Sequence, residues 1–142
     1  MKYNVICNFS FLFILLLVIA GCGNLSKPSQ AKLDSLYPPV STTIEYHTEW
    51  SAIHYPERIR EFRADPLNFG DIVFLGNSIT EGGDDWSAKF GLSNVRNRGI
   101  SGDVTDGVLK RLDEITFFKP KAVFILIGIN DLFNIYYQHQ IP

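Results

Sequence analysis

Three short clusters in this sequence join glycine to a hydroxyl or amide side chain, and each stands directly behind an apolar run. Gly76-Asn77-Ser78-Ile79-Thr80-Glu81-Gly82-Gly83 follows Ile72-Val73-Phe74-Leu75. Asn97-Arg98-Gly99-Ile100-Ser101-Gly102-Asp103 follows a weaker run around Asn94 to Asn97, and Gly128-Ile129-Asn130-Asp131 follows Ala122 to Ile127. A serine on a glycine-flanked turn that leads into a helix offers an exposed hydroxyl, helped by the helix N-terminus, as a nucleophile. Glycines in the second cluster let backbone N–H groups approach a substrate oxygen closely, and the Asn130 amide offers a further donor toward the same space. A hydroxyl and several N–H donors are what acyl transfer requires, because a tetrahedral oxyanion must be held as it forms. Taken singly the positions have plainer readings: Gly102 makes a turn, Asn130 caps the helix that Asp131 begins, and Asp131 is structural. A phosphate loop is excluded, since Gly82-Gly83 runs into Asp84-Asp85 where that motif needs Lys and Ser or Thr. The dinucleotide fingerprint fails as well, because Gly76 lacks a second glycine two positions on.

The elements that must carry these clusters alternate. Ile72 to Leu75 is short, β-branched and aromatic, and is bounded by Gly70 and Gly76, so it predicts a buried strand. A weak strand is expected over 94–97, and a strong one over 122–127 that is apolar on both faces, as in a parallel sheet covered by helices. Trp86 and Phe90 lie four apart and Gly91 can close their short helix. Val104, Val108, Leu112 and Ile115 recur at helical spacing, with Asp103 placed to cap that helix and Pro120 ending the connection. Upstream, Trp50, Ile53, Tyr55, Ile59 and Phe62 suggest a helix between Glu49 and Asp65 that Pro56 restarts at its first turn. The alternation marks an open α/β sheet, in which ligands gather at the carboxyl ends of strands.

Serine after the first strand, glycine after the second and asparagine after the third resemble the first three signature blocks of the SGNH hydrolases, the GDSL-like lipases and acylhydrolases. The stretch from Asn97 to Leu112 and the stretch Ile127-Gly128-Ile129-Asn130-Asp131 are similar to the platelet-activating-factor acetylhydrolase-like branch. The resemblance covers roughly Pro56 to Phe133, with Asn77 standing where the GDSL name has Asp. It implies a three-layer α/β/α flavodoxin-like fold with a parallel sheet, of which the first three strands are present. It also implies Ser78 as nucleophile and an oxyanion hole built from the N–H groups of Ser78 and Gly102 and the Asn130 amide. The substrate implied is a small acyl ester, O-acetyl or short-chain, on carbohydrate or lipid. The family's base, a His three residues after an Asp, is absent: His47, His54 and His139 follow Ile44, Ser51 and Tyr136 at that spacing. The expectation is therefore a domain cut short at its C-terminal side, either an esterase lacking its last block or an inactive, non-enzymatic binding remnant.

The first residues read as an address. Met1-Lys2 is followed by an apolar block from Phe9 to Ala20, and Ile19-Ala20-Gly21-Cys22 resembles a bacterial lipobox, which implies a signal peptide over 1–21 and lipidation of Cys22. The expected outcome is an exported protein anchored to the cell envelope through lipid; a single uncleaved membrane helix is the alternative, since no charge occurs between Lys2 and Lys27. Residues 22–41, rich in Ser, Pro, Gly and Lys, read as a tether, and 42–142 as the N-terminal part of the hydrolase domain. Cys7 lies inside the signal, so a processed chain has no cysteine pair. With 142 residues and a formal net charge of -2, the chain shows no basic footprint for nucleic acid. The histidines lack metal-ligand spacing, the chemistry needs no cofactor, and nothing in the sequence fixes an oligomeric state.

Overall fold

The computed structural model describes residues 28–139. The segment 1–21 expected as a signal peptide and Cys22, the expected lipidation site, lie outside them. Ten elements follow in order: α1 (Gln30–Asp34), α2 (Glu49–Ala64), β1 (Ile72–Gly76), α3 (Ser78–Glu81), α4 (Trp86–Phe90), β2 (Val95–Gly99), α5 (Thr105–Leu109), α6 (Leu112–Phe118), β3 (Ala122–Leu126) and α7 (Ile129–His139). The strands form one parallel sheet in the order β2-β1-β3, with Ile72 opposite Val95 on one side and Ala122 on the other. This is an incomplete three-layer α/β arrangement of the flavodoxin-like kind, as expected.

Side chains alternate across a strand, so β1 feeds both layers. Val73 and Leu75 enter the main core with Tyr55, Ile59 and Phe62 of α2, Val108 of α5, and Ile115 and Phe118 of α6. Phe74 faces the other way and stacks on Trp86 of α4 and Phe124 of β3, with ring centroids 4.4 and 4.9 Å apart. Helix α2 presents Tyr55, Ile59 and Phe62 at i, i+4 and i+7, a stripe whose burial stabilises by roughly 1.5–3 kcal/mol per side chain. Its start is capped by Thr48, whose hydroxyl accepts from the Ser51 N–H at 3.2 Å.

Four local expectations are corrected. Pro56 does not restart α2; the helix runs through it, because the buried stripe outweighs the one backbone bond that proline deletes. The stretch expected as a tether up to Ser41 is not free from Gln30 onward: Leu33, Leu36 and Tyr37 are buried in the core. The Tyr37 hydroxyl shares its one proton between Glu114 Oε1 at 2.8 Å and Phe62 O at 3.0 Å, so apolar and hydrogen-bonding contacts hold a segment whose composition suggested none. The helical pattern from Val104 to Ile115 is broken into α5 and α6. Asp103 does not cap its start either. Asp103 points inward, and Asp131 of α7 instead accepts the Thr105 N–H at 2.9 and 3.1 Å.

β3 differs from its expected two-sided burial: Phe124, Ile125 and Leu126 are all more than half or half exposed. Only β1 flanks it among the described residues, and its far edge carries no strand there. No helix of the described residues is long and apolar enough to cross a membrane; the stretch from Lys2 to Lys27 expected as the alternative anchor lies wholly outside them.

Candidate active site

From β1 the chain turns to one side to form β2, then crosses back to place β3 on the other side. Strand order therefore reverses at β1, and the crevice at the carboxyl ends of β1 and β3 is where open α/β sheets hold ligands. Ser78 lies two residues beyond β1 and Asn130 four beyond β3, so the two flank that reversal. Gly102 follows the end of β2 by three residues at the same edge.

Ser78 opens α3 and is exposed. Its N–H belongs to the first turn of a helix, where no intrahelical acceptor exists. The preceding Asn77 is fully buried and accepts the Ile79 N–H through Oδ1 at 3.2 Å, which fixes the turn; its Nδ2 has no partner among the described residues. Gly102 has φ +77°, and Asp103 N–H bonds back to Ile100 O at 3.1 Å, which makes a tight turn needing glycine at this position. The Gly102 N–H is not the donor of that turn bond.

Asn130 is placed through Asp103. Its Nδ2 donates to the Asp103 carbonyl at 2.9 Å, and an amide carries two N–H bonds, so the second remains for another acceptor. The Asp103 carboxylate is wholly buried and holds Arg111 by two bonds, from Nε at 3.1 Å and Nη2 at 2.9 Å. Arg111 in turn donates to the Arg98 carbonyl at 2.8 Å and the Gly76 carbonyl at 3.1 Å. One buried ion pair thus ties the ends of β1 and β2 to the side chain that follows β3. His47 completes it, with Nε2 3.2 Å from Asp103 Oδ1. Reading the sequence gave Asp103 a capping role and Arg111 none; the available signal was a carboxylate and a guanidinium eight positions apart, at the start of a helical pattern and within it.

A second polar group lies beside Ser101 and Gly102. Glu81, three residues after Ser78 on α3, accepts the Ser101 N–H, faces His54 Nε2 at 3.0 Å through both oxygens, and lies 3.3 Å from Arg58 Nε. Burial raises the Glu81 pKa, but the bonds from Ser101 and His54 and the charge of Arg58 outweigh it and hold the carboxyl below its ordinary value. The His54 ring stacks on Trp50 with centroids 4.7 Å apart. Both described histidine side chains are therefore engaged by carboxylates, and neither was singled out as such from sequence. Helix α7 carries His139 at its end. Among the described residues no group of three His, Cys, Asp or Glu side chains is placed to hold a metal ion.

The geometry of three strand ends is thus on hand: an exposed hydroxyl, a left-handed glycine turn and a tethered amide. No curated protein matches the chain. Residues 74–141 match the model of the GDSL-like Lipase/Acylhydrolase family, a stretch that takes in all three strand-end clusters and supports placing the chain among the SGNH hydrolases, with ester hydrolysis in general as their chemistry.

Proposed function

We propose that this chain carries the nucleophile and oxyanion half of a serine esterase that hydrolyses O-acetyl or short-chain acyl esters on carbohydrate or lipid, of the platelet-activating-factor acetylhydrolase-like branch. The observation that carries the proposal is the position of Ser78 and Asn130 on either side of the strand-order reversal, inside the family match. Ser78 Oγ adds to the ester carbonyl carbon and gives its proton to a base. The carbonyl oxygen becomes an oxyanion facing the Ser78 and Gly102 N–H groups and the free N–H of Asn130, donors worth roughly 3 kcal/mol each in such sites. The carbon–oxygen bond to the alcohol then breaks, the alcohol leaves with the proton, and water releases the acid from Ser78 by the reverse path.

No histidine here follows an Asp at the spacing of the family's base, so the proposal assigns the nucleophile and the oxyanion donors and leaves the base unassigned. A second reading, an inactive remnant that only binds, is favoured by one observation: His47 and His54 are held by Asp103 and Glu81. A fluorophosphonate probe separates the two, because labelling demands an activated hydroxyl. Labelling that is lost in Ser78→Ala supports the esterase; an unlabelled chain leaves the binding reading. Export and anchoring through a lipidated Cys22 form the rest of the proposal, supported by the Ile19-Ala20-Gly21-Cys22 tetrad. Mass spectrometry of the mature N-terminus tests it, and an unmodified or uncleaved Cys22 would count against it.

A further inference from the structure

The start of α2 is pressed against the Gly102 turn. A Cβ built on Gly102 would lie 2.8 Å from Ser51 Cβ and 3.5 Å from Trp50 Cζ3, so the indole stands at van der Waals range of the residue whose N–H is assigned to the oxyanion. Ser51 is buried there, yet Trp50 is 58% exposed. A large aromatic face beside polar groups suits a ligand that is itself apolar on one face.

The indole is also held in place. Its ring is backed by His54, stacked at 4.7 Å with an angle of 21° between planes. His54 is fixed by Glu81, and Glu81 is fixed in turn by the Ser101 N–H and lies within the nucleophile's own helix. A wall tied to both the Ser78 helix and the Gly102 turn is preorganised with respect to the reacting carbonyl, so whatever lies on it has its ester placed. Its surroundings decide the ligand. His54, Glu81 and Glu57 supply imidazole and carboxylate groups around one aromatic ring, with Glu57 Oε2 4.0 Å from His54 Nδ1. Ile53, three residues along α2 and likewise exposed, extends the apolar strip by one side chain. A pyranose fits both parts: its C–H face stacks on the indole and its hydroxyl rim meets the carboxylates and imidazole.

We propose that Trp50, backed by His54 and Glu81, is the platform for the sugar ring of an O-acylated carbohydrate, which makes the alcohol side of the substrate a pyranose. The inference rests on the esterase reading for its placement of the ester, and its test is read separately from that reading. The Ser78→Ala full-length chain is titrated with a methyl O-acetyl-glucopyranoside while the indole N–H resonances are followed. The chain has two tryptophans, and Trp86 donates its indole N–H to Thr80 O, which makes it an internal control. The Trp50 resonance is expected to shift with the Trp86 resonance unmoved, Trp50→Ala to weaken binding at least tenfold, and Trp50→Phe to keep it within about threefold. An unmoved Trp50 resonance, or Trp50→Ala affinity equal to the parent, overturns the platform. So does a titration in which a short-chain lysolipid ester shifts Trp50 and the sugar ester does not. The shift is read with Trp50 intact, so a Trp50 variant that fails to fold leaves the test standing. Fluorophosphonate labelling of Ser78 reports on the esterase reading by itself, whatever the sugar titration shows.

Discussion

Replacing Arg111 by Met is expected to destabilise the protein by about 4 kcal/mol, the cost of stranding one charge of a buried pair. The guanidinium and the Asp103 carboxylate are both almost fully withdrawn from water, and two bonds of 2.9 and 3.1 Å join them. Without Arg111 the carboxylate keeps only His47 at 3.2 Å and the Val104 N–H at 3.0 Å, while the Arg98 and Gly76 carbonyls lose the donors that Arg111 supplied. The Gly76 carbonyl keeps the Ile100 N–H at 3.0 Å, so the stranded carboxylate is the main cost. Against a typical total of roughly 5–15 kcal/mol this is a large share. Urea unfolding followed by circular dichroism measures it for Arg111→Met, for Asp103→Ala and for the double variant. The double should lose clearly less than the two singles added together, because each partner is costly chiefly when left alone. A loss below about 1 kcal/mol for Arg111→Met, or strictly additive singles, would refute the view that this pair is a single buried unit.

Other consequences are open to direct test. Gly107→Ala would place a Cβ 1.8 Å from Asp103 Oδ1, so it is expected to lower the unfolding free energy by roughly 3 kcal/mol, read from the urea midpoint. Glu81 is held below its unfolded pKa near 4.5, so its contribution is complete above that value and is lost as the pH falls through the lower folded value. Glu81→Gln should accordingly flatten the acid limb of a stability–pH curve; an unchanged limb would show that the bonds from Ser101 and His54 do not favour the ionised form. Ser78→Ala should abolish fluorophosphonate labelling while leaving the unfolding free energy within about 0.5 kcal/mol, since the side chain is exposed.

β1 and β3 were legible because their signals are local, β-branched and aromatic runs that end near glycine, whereas β2, Val-Arg-Asn-Arg-Gly, gave only a weak one. Strand-end logic then placed Ser78, Gly102 and Asn130 on one edge without any long-range information. Contacts that depend on tertiary structure were not legible. Composition made residues 22–41 a tether, but the Tyr37 hydroxyl reaches Glu114, 77 positions away, and no local pattern reports such a bond. Asp103 was given the nearest job its residue type allows, a helix cap, and the burial that redirects it toward Arg111 arises only when β1, β2 and α5 come together. Pro56 failed in the same direction, because a breaker's local cost of roughly 3 kcal/mol is offset by a stripe of buried side chains.

The order of strands also sets a timetable for assembly. β1 meets β2 across 23 positions, Ile72 to Val95, but meets β3 across 50, Ile72 to Ala122. Closing the longer loop costs only about 0.7 kcal/mol more in chain entropy, yet that return must cross the whole α5–α6 connection before any contact rewards it. The β1–β2 pair with α3 and α4 is thus the natural nucleus, and β3 arrives on a surface already formed. Substitutions in the β1–β2 pair should slow folding, whereas those in β3 should chiefly speed unfolding. Asn130, carried in by the late strand, is then the last of the three strand-end groups to reach its place.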